Sequence, residues 1–410
     1  MGRRFGVRMF QSSSQHRLRH QRLPSHSDPD RPCLAMIRRP PQKLMVEKDV
    51  AASPMVQTLL QRLPRIPMTI VDRIADGNPF DPDLLEVVAF KGRFIKKCPG
   101  TQQYLCCGYQ ILHGGIQCNL DCSYCILQAY LNQPNLRVFG NTDDLFAELD
   151  AHLLANPHQL HRFGTGEFTD SLLLDPWTGA SRRLVPFFAR QPHAVLELKT
   201  KTDCIDNLAD LPHNGHTIVA WSLNAESIRS GEESRAASIG QRLAAAKRCA
   251  DWGYWLAFHF DPLLEHPHWE ETYRQVVARL FDQIDPTRVV WISLGAFRFM
   301  PELKPIIQQR HPRSRIVYGE FIRGLDGKMR YFRDIRVGLY RVMADAIRQA
   351  APEVCLYLCM ESEDMWRAAL GFSPEDRGGL PAMLDEAVRQ RMRIGICRSH
   401  DASRSCGNDV

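Results

Sequence analysis

The sequence predicts an α/β fold, a complete or partial βα barrel, and three observations point to it. Short apolar runs alternate with segments of helical periodicity, the pattern of parallel βα units. The runs are apolar on both faces, as strands covered by helices on either side must be. The 410 residues are enough for one large barrel of this kind. A doubly wound open sheet is the second choice, and no Gly-x-Gly-x-x-Gly follows the first strand to support it.

The expected strands, in order, are His161–Phe163, Ala194–Leu198, Thr217–Leu223, Trp255–Phe260, Arg288–Leu294, Arg315–Tyr318 and Val354–Leu358. Between them Asp143–Ala155, Ile239–Trp252, Glu270–Phe281 and Pro301–Arg310 carry apolar residues at helical spacing. Thr142 is placed to cap the first of these helices. Phe321–Phe332 reads as a hairpin, with Asp326-Gly327 as a type I′ turn signal. In such a barrel the chemistry belongs at the C-terminal ends of the strands.

Composition narrows the class. At 44% hydrophobic and 24% charged, the chain is neither wholly disordered nor a small disulfide scaffold. No apolar run reaches the roughly 18 residues of a spanning helix, so no membrane is expected. The net charge of +6 is concentrated at one end: residues 1–44 hold ten Lys/Arg against two Asp, leaving 42 basic and 44 acidic residues elsewhere. The body is therefore near neutral, and any nucleic-acid footprint on it must be a local patch. Residues 1–45 are expected to be a disordered basic tail. A phosphate-touching arm, a targeting peptide and an over-long start, with initiation at Met36 or Met45, all fit that segment. Residues 46–395 form the barrel domain with N-terminal and C-terminal extensions, and 396–410 a second tail. Thirteen scattered cysteines, with no apolar leader before them, suggest a reducing, cytoplasmic setting and a metal or catalytic thiol.

The decisive stretch is His113-Gly-Gly-Ile-Gln-Cys118-Asn-Leu-Asp-Cys122-Ser-Tyr-Cys125. Three thiolates at spacings of four and three can surround one compact set of irons and leave one iron open. The same spacing is also one face of a helix of buried cysteines. However, Gly114, Gly115, Asn119, Asp121 and Ser123 suit a loop better. Zinc is the remaining reading, without a fourth ligand at the usual spacing.

Cys-x-x-x-Cys-x-x-Cys, with Tyr124 before the last cysteine, resembles the radical S-adenosylmethionine (SAM) superfamily. That resemblance implies a [4Fe–4S] cluster on Cys118, Cys122 and Cys125, with SAM on the open iron. It also implies a partial (β/α) barrel of the radical SAM type with a C-terminal hairpin and helical extension. Gly164-Thr-Gly-Glu167 is similar to the superfamily's Gly-Gly-Glu element, which places Glu167 at the SAM ammonium. Lys201 and Ser222 are the candidates for the SAM carboxylate. Later segments resemble the spore photoproduct lyase branch: Cys-Ser-Tyr-Cys-Ile-Leu-Gln, Thr-Lys…Asp-x-Leu, His213-Asn-Gly, Ser222-x-Asn224, Arg298-Phe299, and Arg330-Tyr331 ahead of Val337-Gly338-x-Tyr340. The resemblance covers about residues 46–390.

What it implies is repair of a methylene-bridged thymine dimer in DNA by a 5′-deoxyadenosyl radical, fed by an external electron donor such as a flavodoxin or ferredoxin. A lesion must leave the base stack to reach a barrel mouth. Arg298, Arg330 and Tyr331 are the candidates for touching nucleic acid. Two positions depart from the family. Phe168 stands where the family's hydrogen-donating cysteine is expected, and Ile126 replaces a tyrosine. Cys204 is the candidate substitute donor, and Tyr124 is the second catalytic candidate. His259 and Asp261 end a strand and would face the substrate. Cys98, Cys106 and Cys107 raise the question of a second metal. A radical SAM enzyme with another nucleic-acid or small-molecule substrate is the alternative. From another class, so is a DNA-binding protein with a structural metal site.

Overall fold

The computed structural model describes residues 40–98, 100 and 103–394. The expectations for 1–39 and 395–410 lie outside them. Lys43, Leu44 and Met45 belong to the first strand.

Sixteen strands order the described chain. Seven precede the first predicted strand: β1 Lys43–Glu47, β2 Met68–Val71, β3 Leu84–Val88, β4 Ile95–Lys97, β5 Gln110–Leu112, β6 Gly115–Ile116 and β7 Leu136–Phe139. The rest are β8 His161–Gly164, β9 Ala194–Thr200, β10 Thr217–Ser222, β11 Trp255–Leu263, β12 Val289–Ala296, β13 Arg298–Phe299, β14 Phe321–Arg323, β15 Met329–Tyr331 and β16 Cys355–Leu358.

Eight of them form the partial barrel, in the order β16-β12-β11-β10-β9-β8-β5-β4. Every pairing is parallel except that of β4 with β5. β10 and β12 are buried along their whole length, as strands sandwiched between helices should be. The helix Ile239–Asp251 shows why the elements start where they do. Ser238 and Gln241 form a capping box, and Ile239, Leu243, Ala246 and Cys249 face the sheet. The helix Thr142–Ala155 begins differently from expectation. Thr142 is its first residue and Asn141 its cap, with the Asn141 amide donating to Asp144 at 2.8 Å.

The N-terminal extension has its own sheet, in the order β2-β1-β3-β7-β6. Its helix, Pro54–Arg62, is capped by Ser53 and buries Met55, Val56 and Leu59 against Leu44, Val46, Leu85 and Val87. The expected strand at Arg315–Tyr318 is a turn instead, closed by Tyr318 N donating to the Arg315 carbonyl at 3.1 Å. Two apolar residues after Pro312 are too few to hold a strand without a partner.

The hairpin is present as β14 and β15, with β13 paired to β15. Its turn is not type I′. Gly327 alone has positive φ (77°), and Gly327 N donates to the Gly324 carbonyl at 3.0 Å. This is a three-residue loop closed by a left-handed glycine, because Asp326 turns its carboxylate inward to Arg330 at 2.7 Å. No helix among the described residues is long and apolar enough to cross a membrane.

Candidate active site

The cysteine loop, residues 117–126, runs from β6 to the short helix Leu127–Tyr130. Gln117 (φ 71°) and Asp121 (φ 53°) adopt left-handed backbone conformations, so the segment folds back and is not one face of a helix. Gln128 Nε2 donates to the carbonyls of Cys122 (3.2 Å) and Ser123 (2.9 Å). Arg310 Nη2 donates to the Asp121 carboxylate at 2.7 Å. Cys118, Cys122 and Cys125 pack with Leu120, Leu173 and Tyr124.

Burial pushes all three thiols up, and the Lys201 ammonium pulls Cys122 and Cys125 back. A cationic iron core supplies the positive charge that thiolates need in so dry a loop, so the donor set fits a [4Fe–4S] cluster with one open iron.

The loop is joined to the barrel by a chain absent from the sequence reading. The Tyr124 hydroxyl donates to Glu233, whose other oxygen takes Arg242 Nη2. Arg242 Nη1 donates to the Ser222 carbonyl at 2.7 Å, at the end of β10. Burial would raise Glu233, but Arg242 and Lys201 outweigh it and hold the carboxylate ionised below its ordinary range. Lys201 lies 5.8 Å from the centre of the Tyr124 ring. Tyr124, Lys201 and Ser222 are therefore brought together beside the cysteine loop.

Glu167, after β8, faces a partner of its own. Lys199 Nζ donates to it at 2.7 Å. Burial alone would lower Lys199, yet Glu167 outweighs it and raises the ammonium above its ordinary value. Glycine is required before this acid: a Cβ on Gly166 would sit 2.8 Å from Lys199 Cβ, and one on Gly164 would meet the Tyr109 hydroxyl at 1.5 Å. Across the mouth, Arg298 donates through both Nη atoms to Asp261 at 3.2 Å each, and through Nη2 to Cys359 Sγ at 3.4 Å. Below, inside the barrel, His259 Nδ1 lies 2.7 Å from Ser293 Oγ, and its Nε2 lies 3.2 Å from Glu197. Asp261 is thus at the mouth as expected, whereas His259 is buried within the barrel.

Several expectations need correction. Cys204 is 3% exposed in the main hydrophobic core with Ile205 and Leu208, so its thiol is out of reach of a molecule in the mouth. The nucleic-acid candidates also turn inward. The Arg298 side chain is only 13% exposed and is committed to Asp261. Arg330 donates to Asp326 and to the Met360 carbonyl, stacks on the Tyr104 ring and is 2% exposed. Tyr331 is also 2% exposed and accepts from Glu265 N. Arg330 and Tyr331 are neighbours on β15 and point to opposite faces of the hairpin, yet both are covered, Arg330 by its ion pair with Asp326 and Tyr331 by the aromatic cluster with Phe297 and Phe321. Ile322, Arg323, Leu325 and Phe332 face outward.

Phe168 belongs to an aromatic group with no counterpart in the sequence reading. Its ring centre lies 4.6 Å from His113 and 6.3 Å from Tyr130, with Lys96 Nζ 5.5 Å away. Neither ring nitrogen of buried His113 has a hydrogen-bond partner, and burial next to Lys96 brings its imidazole down to about 3. A π-surface with a neighbouring cation is a platform on which an extruded base can stack.

A family model described as spore photoproduct lyase matches residues 109–346. The chain is 29% identical over 202 residues to the spore photoproduct lyase of Geobacillus sp. (strain Y412MC61), an alignment covering 48% of this chain and 59% of that protein. It is 27% identical over 206 residues to the enzyme of Bacillus subtilis (strain 168), covering 50% of this chain and 60% of that one. Among solved structures, a spore photoproduct lyase variant with bound AdoMet and dinucleoside spore photoproduct superposes with a TM-score of 0.69. It shares 23% identity, and the match covers 78% of this chain and 99% of that one. A complex of spore photoproduct lyase with the dinucleoside spore photoproduct gives 0.68 at 24% identity, over 78% and 98% of the two chains. These likenesses establish a shared fold.

Proposed function

This chain belongs to the spore photoproduct lyase family, and on that premise we propose that it is a radical SAM lyase that restores thymines from the methylene-bridged dimer in DNA. The observation that carries the proposal is the three-cysteine loop tied through Tyr124 to the strand ends that present Lys201 and Ser222. Relatives named spore photoproduct lyase, and a structure of one with AdoMet and the lesion together, support the same reading.

In this account Cys118, Cys122 and Cys125 hold a [4Fe–4S] cluster, and the cluster with SAM supplies a 5′-deoxyadenosyl radical. Glu167 receives the SAM ammonium, moving away from or sharing Lys199. Lys201 and Ser222, next to Tyr124, receive the carboxylate. Tyr124 fixes the loop through Glu233 and Arg242. The lesion stacks on the Phe168 and Tyr130 surface, which His113 backs from beneath, with Lys96 neutralising a phosphate. Arg298 orients Asp261 at the mouth, and the outward residues of the hairpin, Arg323 with Ile322 and Leu325, meet the duplex.

Phe168 and Ile126 have no weakly held hydrogen atom to give, Cys204 is enclosed in the core, and the Cys359 thiol near the mouth is engaged by Arg298. The hydrogen that quenches the product radical is therefore assigned to an added or cellular thiol. We place the enzyme in the reducing cytoplasm, where an external flavodoxin or ferredoxin supplies the electron.

The test is an anaerobic assay of reconstituted protein with SAM, reductant and an oligonucleotide carrying the lesion, with added thiol varied. Recovered thymine that rises with thiol, and disappears in Cys118→Ala, supports the reading. Repair independent of added thiol would overturn the assignment of the hydrogen source, and absence of repair the assignment of the substrate.

A further inference from the structure

Four cysteines outside the SAM loop converge from three separate parts of the chain. Cys98 follows β4, Cys106 and Cys107 precede β5, and Cys359 follows β16. All four line one cavity of about 20 Å³, with Gly100 and Tyr357 among its walls. That volume holds one water-sized body. β4 and β16 are the two free edges of the barrel sheet, so the thiols meet where the sheet fails to close. One backbone hydrogen bond spans this gap from the same segment, Leu105 N to the Glu361 carbonyl at 3.0 Å.

The thiols share the cavity wall with Leu105, Met360 and Leu380, and polar groups reach them as well. Two guanidinium groups face the set: Arg298 Nη2 donates to Cys359 Sγ at 3.4 Å, and Arg162 Nη2 to the Cys107 carbonyl at 2.6 Å. The backbone approaches closely as well, since a Cβ on Gly100 would lie 2.8 Å from Cys106 Sγ. The SAM-loop cysteines pack apart from this set, in a cluster of their own with Leu120, Leu173 and Tyr124.

We propose that Cys98, Cys106, Cys107 and Cys359 form a second thiolate metal centre, for zinc or iron, which rivets the segment after β4 to the end of β16. Tetrathiolate coordination is the preferred structural environment of such ions. No three His, Cys, Asp or Glu side chains among the described residues are preset around a single ion, the SAM-loop cysteines included. The sulfurs therefore close on the metal by side-chain rotation, as ligand sets completed on binding do. Because Arg298 touches both Cys359 and Asp261, the centre also braces the mouth from behind.

The test begins with C118A/C122A/C125A, which lacks the first cluster but keeps all four thiols. Purified anaerobically after growth with zinc and iron, it should retain about one equivalent of metal by mass spectrometry, lost on adding Cys359→Ser. The unsubstituted full-length chain provides a measurement independent of any folding defect. Iodoacetamide labelling mapped by peptide mass spectrometry should spare Cys98, Cys106, Cys107 and Cys359 until a chelator is added. A metal-free triple variant, or equal labelling of the four thiols with and without chelator, would overturn the proposal.

Discussion

The Tyr124 hydroxyl donates to the Glu233 carboxylate, which joins the cysteine loop to the barrel through a fully buried pair. Glu233 is 1% exposed and Arg242 is not exposed at all. Removing the carboxylate leaves Arg242 as an uncompensated buried charge. Glu233→Ala should therefore cost about 3–5 kcal/mol in chemical denaturation. Tyr124→Phe should cost only about 1–3 kcal/mol, while releasing iron faster from the reconstituted protein. Equal stability of Glu233→Ala and the parent would remove this chain from the account.

Glu167 and Lys199 form a partly exposed pair, and the SAM ammonium is expected to compete for the same carboxylate. Glu167→Gln should weaken SAM about tenfold, or about 1.4 kcal/mol, in calorimetric titration of the reconstituted protein. Affinity unchanged by the substitution would place the SAM ammonium elsewhere.

His113 gives the protein a defined acid sensitivity. Its folded value of about 3 lies below the ordinary value of 6.5, so the unfolded chain binds the proton first as pH falls. Its contribution is fully present above 6.5 and is lost on acidification through the window from 6.5 toward 3. The slope there approaches about 1.4 kcal/mol per pH unit. His113→Phe keeps the ring stack and removes the titration, so denaturation midpoints between pH 4 and 7 should vary less than in the parent. An identical pH profile would contradict the burial of this ring.

Much of this arrangement was legible in the sequence. Strands β8 to β12 and β16 lie within a few residues of their predicted places, because most of them, β10 and β12 above all, carry apolar runs that a covered parallel sheet accommodates. The cysteine loop was equally clear from its glycines and turn-forming residues. The strands before β8 were not: β4 to β6, for example, have only two or three residues each, too few to show a period. Glu233 and Arg242 carry no motif, and their pairing depends on a helix and a turn meeting in space. The hairpin residues were misread for a related reason. A basic and aromatic strand looks solvent-facing, but the carboxylate that claims Arg330 is Asp326 of the hairpin's own turn, which no periodicity reveals. Likewise, Cys359 lies more than two hundred residues from Cys106, and only the closing of the barrel brings them together.

Arg323 faces outward and Arg330 does not. Arg323→Ala should weaken duplex binding across sequences and reduce the slope of log affinity against log salt by about one. Arg330→Ala should instead lower the melting temperature, since it strips the buried Asp326 of its partner. Fluorescence anisotropy over a salt series, alongside thermal melts, separates the two effects. A lost salt contact in Arg330→Ala with no change in melting would reverse the assignment.

The most direct measurement is thymine recovery from a lesion-bearing oligonucleotide under anaerobic conditions, with 5′-deoxyadenosine quantified in the same samples. Both products are expected in the parent and neither in Cys118→Ala. Formation of 5′-deoxyadenosine without thymine, at any thiol concentration, would contradict the lyase assignment.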